Sequence, residues 1–155
     1  MEVDVICKEA LKPSFCSQLL NSKPGGAKGV DLDNLAQYTM DVLHANLTNS
    51  VNMFEELIKH TSNNKTKNHY YNCVQDLGPY GSGALAMLRD AEFYLKRSVY
   101  TQVARSAAGI KQDILSCIDD VKMHYHVNSL VSNYVKVTQQ VGQVLDIISK
   151  YLNLG

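Results

Sequence analysis

Apolar residues recur along this chain at steps of three and four almost throughout, the spacing of α-helices that bury one face. Leu32, Leu35, Ala36, Thr39, Val42, Leu43, Asn46, Met53, Phe54, Leu57 and Ile58 form the first long stripe. They predict one helix of roughly thirty residues, with the Asp31 side chain placed to cap its first amides. Tyr100, Val103, Ala104, Ala107, Ile114, Ile118 and Val121 form another stripe, with small residues that let a neighbouring helix approach closely. Leu130, Tyr134, Val137, Val141, Val144, Ile148 and Tyr151 alternate steps of four and three, a heptad seam that closes the chain. A further helical pattern runs from about residue 66 to 96. Gly78-Pro79-Tyr80-Gly81-Ser82-Gly83 interrupts it. Proline lacks the amide proton and clashes with the preceding turn, so the helix should break or kink there.

Breakers mark the joints. Lys23-Pro24-Gly25-Gly26 closes an N-terminal segment, Asn63-Asn64 separates the first long helix from the second, and Val127-Asn128 opens the last. The N-terminal segment divides at Lys12-Pro13. Proline favours the first helical turn, so residues 3–11 and 13–21 read as two short helices in a hairpin. The predicted fold is all-α: an up-down-up-down four-helix bundle carrying an N-terminal helical hairpin. It forms one domain over residues 1–155, with the hairpin in 1–24 and the bundle in 30–153.

The chain's 155 residues suit one domain, and a chain of this size buries about 70% of its unfolded surface without help from a metal. Hydrophobic residues make up 45% and charged residues 19%, which excludes a disordered polyelectrolyte. Fifteen basic residues balance fifteen acidic ones, so the basic excess of a nucleic-acid-binding protein is missing. No apolar run approaches the ~20 residues of a membrane span. The N-terminus shows neither the basic nor the apolar region of a signal peptide, and Met1 reads as a start residue placed where a leader was removed. Five histidines turn this neutral chain positive below about pH 6, so its binding to a partner should vary between about pH 5 and 7.5.

Four cysteines, Cys7, Cys16, Cys73 and Cys117, allow two disulfides in three connectivities, or four buried thiols. No C-x₂-C pair is present, which argues against zinc. The hairpin brings Cys7 to Cys16. If those two pair, Cys73 pairs with Cys117 and staples two bundle helices. Both bridges are then structural.

His69-Tyr70-Tyr71, Tyr80, Tyr94 and His124-Tyr125-His126 are a dense group of histidine and tyrosine. Histidine paired with a tyrosine hydroxyl can move protons near neutral pH. The plainer reading, which we prefer, is that Tyr70 or Tyr71 packs in the bundle and that His124 and His126 lie at a helix C-terminus, where a cationic imidazole suits the dipole. No third ligand near His124 and His126 supports a metal. Glu55-Glu56 and Asp119-Asp120 are neighbours in sequence only. Adjacent helical side chains diverge by about 100°, so neither pair can act as a glycosidase acid and base, and both read as solvated faces. There is no phosphate-binding glycine loop, and no cofactor is expected. Asn46-Leu-Thr48 and Asn64-Lys-Thr66 are N-glycosylation sequons, usable at Asn46 and Asn64 if the protein is secreted.

Ile6-Cys7-Lys8-Glu9-Ala10-Leu11-Lys12-Pro13-Ser14-Phe15-Cys16 resembles the opening of the plant invertase and pectin methylesterase inhibitors. Tyr70-Tyr71-Asn72-Cys73 is similar to their second bundle helix. Ser98-Val99-Tyr100, Ser106-Ala107-Ala108 and Cys117-Ile118-Asp119-Asp120 are similar to the third, and Val144-Leu145-Asp146-Ile147-Ile148-Ser149 with Lys150-Tyr151-Leu152 to the last. The resemblance covers essentially the whole chain and implies the same disulfide connectivity. A fifth cysteine that some members carry in the last helix is Gly142 here. It also implies a secreted plant protein of the apoplast, or alternatively the vacuole, that is not an enzyme. Such a protein binds a carbohydrate-active enzyme one to one and blocks its active-site cleft.

Two departures shape the expected target. The Pro-Lys-Phe motif by which invertase inhibitors enter the invertase cleft is replaced by Tyr100-Thr101-Gln102. Methylesterase inhibitors commonly carry Tyr there, which favours pectin methylesterase and puts invertase third. Gly78-Pro79-Tyr80-Gly81 looks like a one-turn insertion in a helix that in methylesterase inhibitors faces the enzyme. Helix location then nominates Asp76, Tyr80, Ser82, Arg89, Tyr100, Gln102 and Arg105 as enzyme contacts. The rival reading is a recruited member of the same fold. Its insertion would open a pocket for a small plant metabolite, with His69, Tyr80, Tyr94, His124 and His126 as candidate catalytic groups. A cavity in which they converge would favour that rival; a bundle with these groups scattered outward would favour the inhibitor.

Overall fold

The computed structural model describes residues 1–122 and 129–155. Its helices are α1 (Val3–Cys7), α2 (Pro13–Asn21), α3 (Leu32–Lys59), α4 (Asn64–Leu77), α5 (Ala84–Lys96), α6 (Tyr100–Lys122) and α7 (Ser129–Leu154). No strand occurs among the described residues. Pro13 opens α2 as expected, but α1 stops at Cys7 rather than near Leu11. Proline pushes the residue before it out of the helical region, and Lys12 is at φ −124°. The chain has to reverse within these few residues so that Cys7 and Cys16 can bond, their Cα atoms 5.4 Å apart.

Asp31 caps α3 by accepting the Asn34 amide at 2.8 Å, and Asn63 caps α4 through the Thr66 amide at 3.1 Å. Each such cap is worth about 1 kcal/mol. The expected long second helix is broken into α4 and α5. Glycine is required at both ends of the linker. A Cβ on Gly78 would collide with the carbonyl oxygen of Val74, and one on Gly83 would lie 2.8 Å from the carbonyl oxygen of Gln75. Both α4 and α5 pack on α3 and α6, and neither reaches α7. They therefore share one corner of a four-helix bundle, diagonally opposite α7. The hairpin lies against α3 and α7.

Leu35, Met40, Leu43, Leu47 and Phe54 of α3 meet Leu77, Leu88, Ile110, Ile114, Leu145 and Ile148 in a fully buried core. Burying each such side chain contributes roughly 1.5–3 kcal/mol. The Thr39 and Ser50 hydroxyls are buried inside α3 and donate to the carbonyls of Leu35 and Asn46, four residues back. That satisfies groups which would otherwise be costly to bury.

The heptad seam expected in α7 is displaced in its first half. Leu130, Tyr134 and Val137 are exposed, while Val131, Val135 and Thr138 are buried. In the second half Val141, Val144 and Ile148 are buried as predicted, and Gly142, Leu145, Ser149 and Leu152 are buried beside them. Thr138, Gly142 and Ser149 are small or polar, so a hydrophobicity pattern passes over them. Gly142 sits there because α6 is close: a Cβ on it would lie 3.1 Å from the Cδ1 atom of Ile114.

Candidate functional site

The second disulfide organises the face between α4 and α6. Cys73 and Cys117 are bonded, their Cα atoms 4.7 Å apart. One turn from each cysteine comes a titratable group on the same helical face: His69 and Asp76 flank Cys73, and Asp113 and Asp120 flank Cys117. Asp120 Oδ1 lies 3.1 Å from His69 Nδ1. Asp120 is thus half-buried and engaged by His69, not part of a solvated face as the sequence suggested, whereas its neighbour Asp119 is exposed. Glu56 fits that expectation, lying exposed between Lys59 and His60.

Asp76 and Asp113 face a cleft of about 960 Å³ between α3, the residue 78–83 linker and α5. Burial raises the Asp76 carboxyl to about 6, with the Asp120 charge adding to the shift. Burial likewise raises Asp113 to about 6, and there the Asp76 charge adds. Asp113 Oδ2 accepts no hydrogen bond from the described residues. Glu55 and Glu92 also line the cleft, so it is acidic. His44 and Arg89 are its basic members, and Arg89 donates to the Pro79 carbonyl oxygen at 3.4 Å. Tyr80 stands on the rim, 87% exposed.

These raised carboxyl values have a defined effect on stability. Each aspartate is harder to ionise folded than unfolded, so the folded state holds more protons between the ordinary aspartate value of 3.8 and about 6. Stability contributed in this way is fully present below that window and is lost as pH rises through it. Asp113→Asn is therefore expected to raise the unfolding free energy at pH 7.5 by about 1 kcal/mol, after allowance for solvent screening. It should change little at pH 4. Urea melts at the two pH values check this, and an equal gain at both would show that the carboxylate charge is not the cause.

The nominated contacts fall into two groups. Asp76, Tyr80, Ser82 and Arg89 all line the cleft. Tyr100, Gln102 and Arg105 lie along the start of α6 and are not among its lining residues. Tyr100 is half-buried, and its hydroxyl donates to Asp33 Oδ2 at 3.0 Å. Of the groups named for the metabolite reading, Tyr80 alone of the described ones lines the cleft. His69 faces Asp120, and Tyr94 stacks edge-on against Phe93. His124 and His126 lie outside the described residues. Tyr70 is the tyrosine that packs inside, tilted against Phe54 with ring centroids 5.6 Å apart, while Tyr71 is exposed. Asn46 is half-buried midway along α3, and Asn64 is exposed at the start of α4. No group of three or more His, Cys, Asp or Glu able to hold a metal occurs among the described residues.

Asp113, His44 and Glu92 were passed over in the sequence, and Glu55, read there as part of a solvated face, lines the cleft. For Asp113 a signal was present: it follows Ile110 by three and precedes Cys117 by four, a carboxylate on a stripe otherwise buried.

The family model for plant invertase/pectin methylesterase inhibitors matches residues 2–149. The chain belongs to that family. Among curated relatives, pectinesterase inhibitor 1 of Arabidopsis thaliana is 26% identical over 97% of this chain and 82% of its own length. The pectinesterase inhibitor of Actinidia deliciosa is 26% identical over 72% of this chain and 60% of its own length. The crystal structure of a mutant form of a pectin methylesterase inhibitor from Arabidopsis superposes with a TM-score of 0.85 at 27% identity, covering 96% of this chain and 95% of that one. A second crystal structure, of a pectin methylesterase inhibitor from Arabidopsis thaliana, gives 0.73 at 27% identity over 97% and 95%. The helical bundle and both disulfides agree with the expectations from sequence.

Proposed function

We propose that this chain is a secreted inhibitor that binds pectin methylesterase one to one and occludes its active-site cleft. Similarity to pectinesterase inhibitor 1 over nearly the whole chain supports that target most directly. Tyr100-Thr101-Gln102 in place of the Pro-Lys-Phe motif weighs against invertase. Two disulfides suit an oxidising compartment, and no described helix is long and apolar enough to cross a membrane. The apoplast is the proposed location, ahead of the vacuole.

The contact surface in this reading is the rim of the acidic cleft, with Asp76, Ser82 and Arg89 around Tyr80. Tyrosine and arginine dominate the energetics of protein interfaces because they bury a large, stiff surface with a polar tip. A Tyr80 side chain left 87% exposed in the free protein has most of its area still to bury. The first groups of α6, Gln102 and Arg105, extend the surface. Tyr80→Ala is expected to weaken inhibition about 30-fold or more while leaving the melting temperature unchanged. Inhibition assays on purified plant pectin methylesterase and invertase test the reading. Inhibition of neither enzyme at micromolar protein would remove it, and inhibition of invertase alone would reassign the target.

A further inference from the structure

A second groove, of about 380 Å³, lies on another part of the surface, where the hairpin turn meets α6 and α7. Its charged lining is entirely basic: Lys12 from the turn, Lys111 from α6 and Lys136 from α7. In a chain whose fifteen cations match fifteen anions, this is a local segregation of charge. Lys111 Nζ shares Asp146 Oδ2 with Lys150, both at 3.0 Å, so a single buried carboxylate offsets two ammonium groups. Neither Lys12 nor Lys136 forms an ion pair with the described residues.

The groove also exposes carbon. Leu11 is 81% and Leu115 38% exposed, although water is an unfavourable setting for such side chains. The Leu11 backbone is nonetheless held in place, its amide donating to Gln143 Oε1 at 3.1 Å. This leaves the Gln143 amino group as a donor beside the amides of Gln139 and Gln140.

These three kinds of group narrow the ligand. An inorganic anion would leave the leucines unused, and a fatty acid would leave the glutamine amides unused. A carboxylated sugar uses all three: carboxylates for the lysines, hydroxyls for the glutamines, and the carbon-hydrogen face of the ring for the leucines. The volume lies at the small end of ligand sites, the scale of a short stretch of sugars. We infer that this groove binds an oligomeric uronate. The identity of the sugar rests on the proposed target, since hydrolysis of methyl esters on pectin yields carboxylate-bearing galacturonate. An inhibitor so equipped would be held on polymer that has already been de-esterified.

Calorimetric titration of the full chain with a short de-esterified galacturonate oligomer tests this without any enzyme present, so a failure of inhibition leaves the readout untouched. Saturable binding is expected, about tenfold weaker for the fully methyl-esterified oligomer and for Lys12→Glu/Lys136→Glu, and weakened by salt. The double variant should melt and inhibit as the parent does, because both lysines are exposed and lie off the cleft. Leu115→Ser should also weaken binding while leaving the salt dependence in place. Equal binding of the esterified oligomer, an unchanged affinity in the double variant, or equally tight binding of polyglutamate would each overturn the inference.

Discussion

Replacing Cys73 and Cys117 together with alanine is expected to lower the unfolding free energy by about 4 kcal/mol. The bridge spans a sequence separation of 44, and constraining a loop of that length removes about this much free energy from the unfolded chain in the chain-entropy model. For a domain of this size the melting temperature should fall by about 8–16 °C. Asp76, Asp113 and Asp120 face one another across α4 and α6 with or without the bridge, so their repulsion at neutral pH weakens parent and variant alike. The loss should therefore be about the same at pH 7.5 and pH 4, with both proteins less stable at the higher pH. Calorimetry on the double variant at both values checks this. A fall of under about 3 °C would show that apolar packing alone holds the α4–α6 seam. Removal of the Cys7–Cys16 bridge, with its shorter loop, should cost about 2.7 kcal/mol.

Phe54→Ala is the second large effect. Phe54 is fully buried, and its ring tilts against Tyr70 across the α3–α4 contact. Truncating it removes the transfer free energy of the ring and leaves a cavity that a packed bundle fills poorly, a loss of about 3–5 kcal/mol. The burial that raises the Tyr70 hydroxyl's titration should be relieved as well. A denaturant melt and a spectroscopic titration of the tyrosines read the two consequences. Phe54→Leu should recover much of the stability, because it refills most of the volume. A loss below about 1 kcal/mol in the alanine variant would mean that neighbouring side chains collapse into the space.

The elements of this fold that depend on local chemistry are legible in the sequence. Asp31 caps α3, Pro13 opens α2, and the stretch from Gly78 to Gly83 breaks the second bundle helix, each through interactions within one helical turn. The stripes on α3 and α6 point inward because each carries large apolar residues that meet the core. The cysteine pairing follows from the same helix boundaries, since the hairpin holds Cys7 and Cys16 together and leaves one partner for Cys73.

What the tertiary structure alone decided is how helices rotate and which residues from different helices share a space. α7 keeps its predicted face in its second half, where Val141, Val144 and Ile148 are buried, but its first half buries Val131, Val135 and Thr138 and leaves Leu130, Tyr134 and Val137 outside. α6 comes close at Gly142, where a Cβ would lie 3.1 Å from Ile114 Cδ1. Asp113 shows on its own helix only as a carboxylate on a buried stripe. It becomes part of a site when α4 brings Asp76 beside it and the linker opens a cleft above. The basic groove draws one lysine from each of three segments far apart in sequence. A helical period specifies which residues of one helix share a face. Which faces meet depends on the closest approach that side-chain volumes allow, and that is a property of the packed bundle.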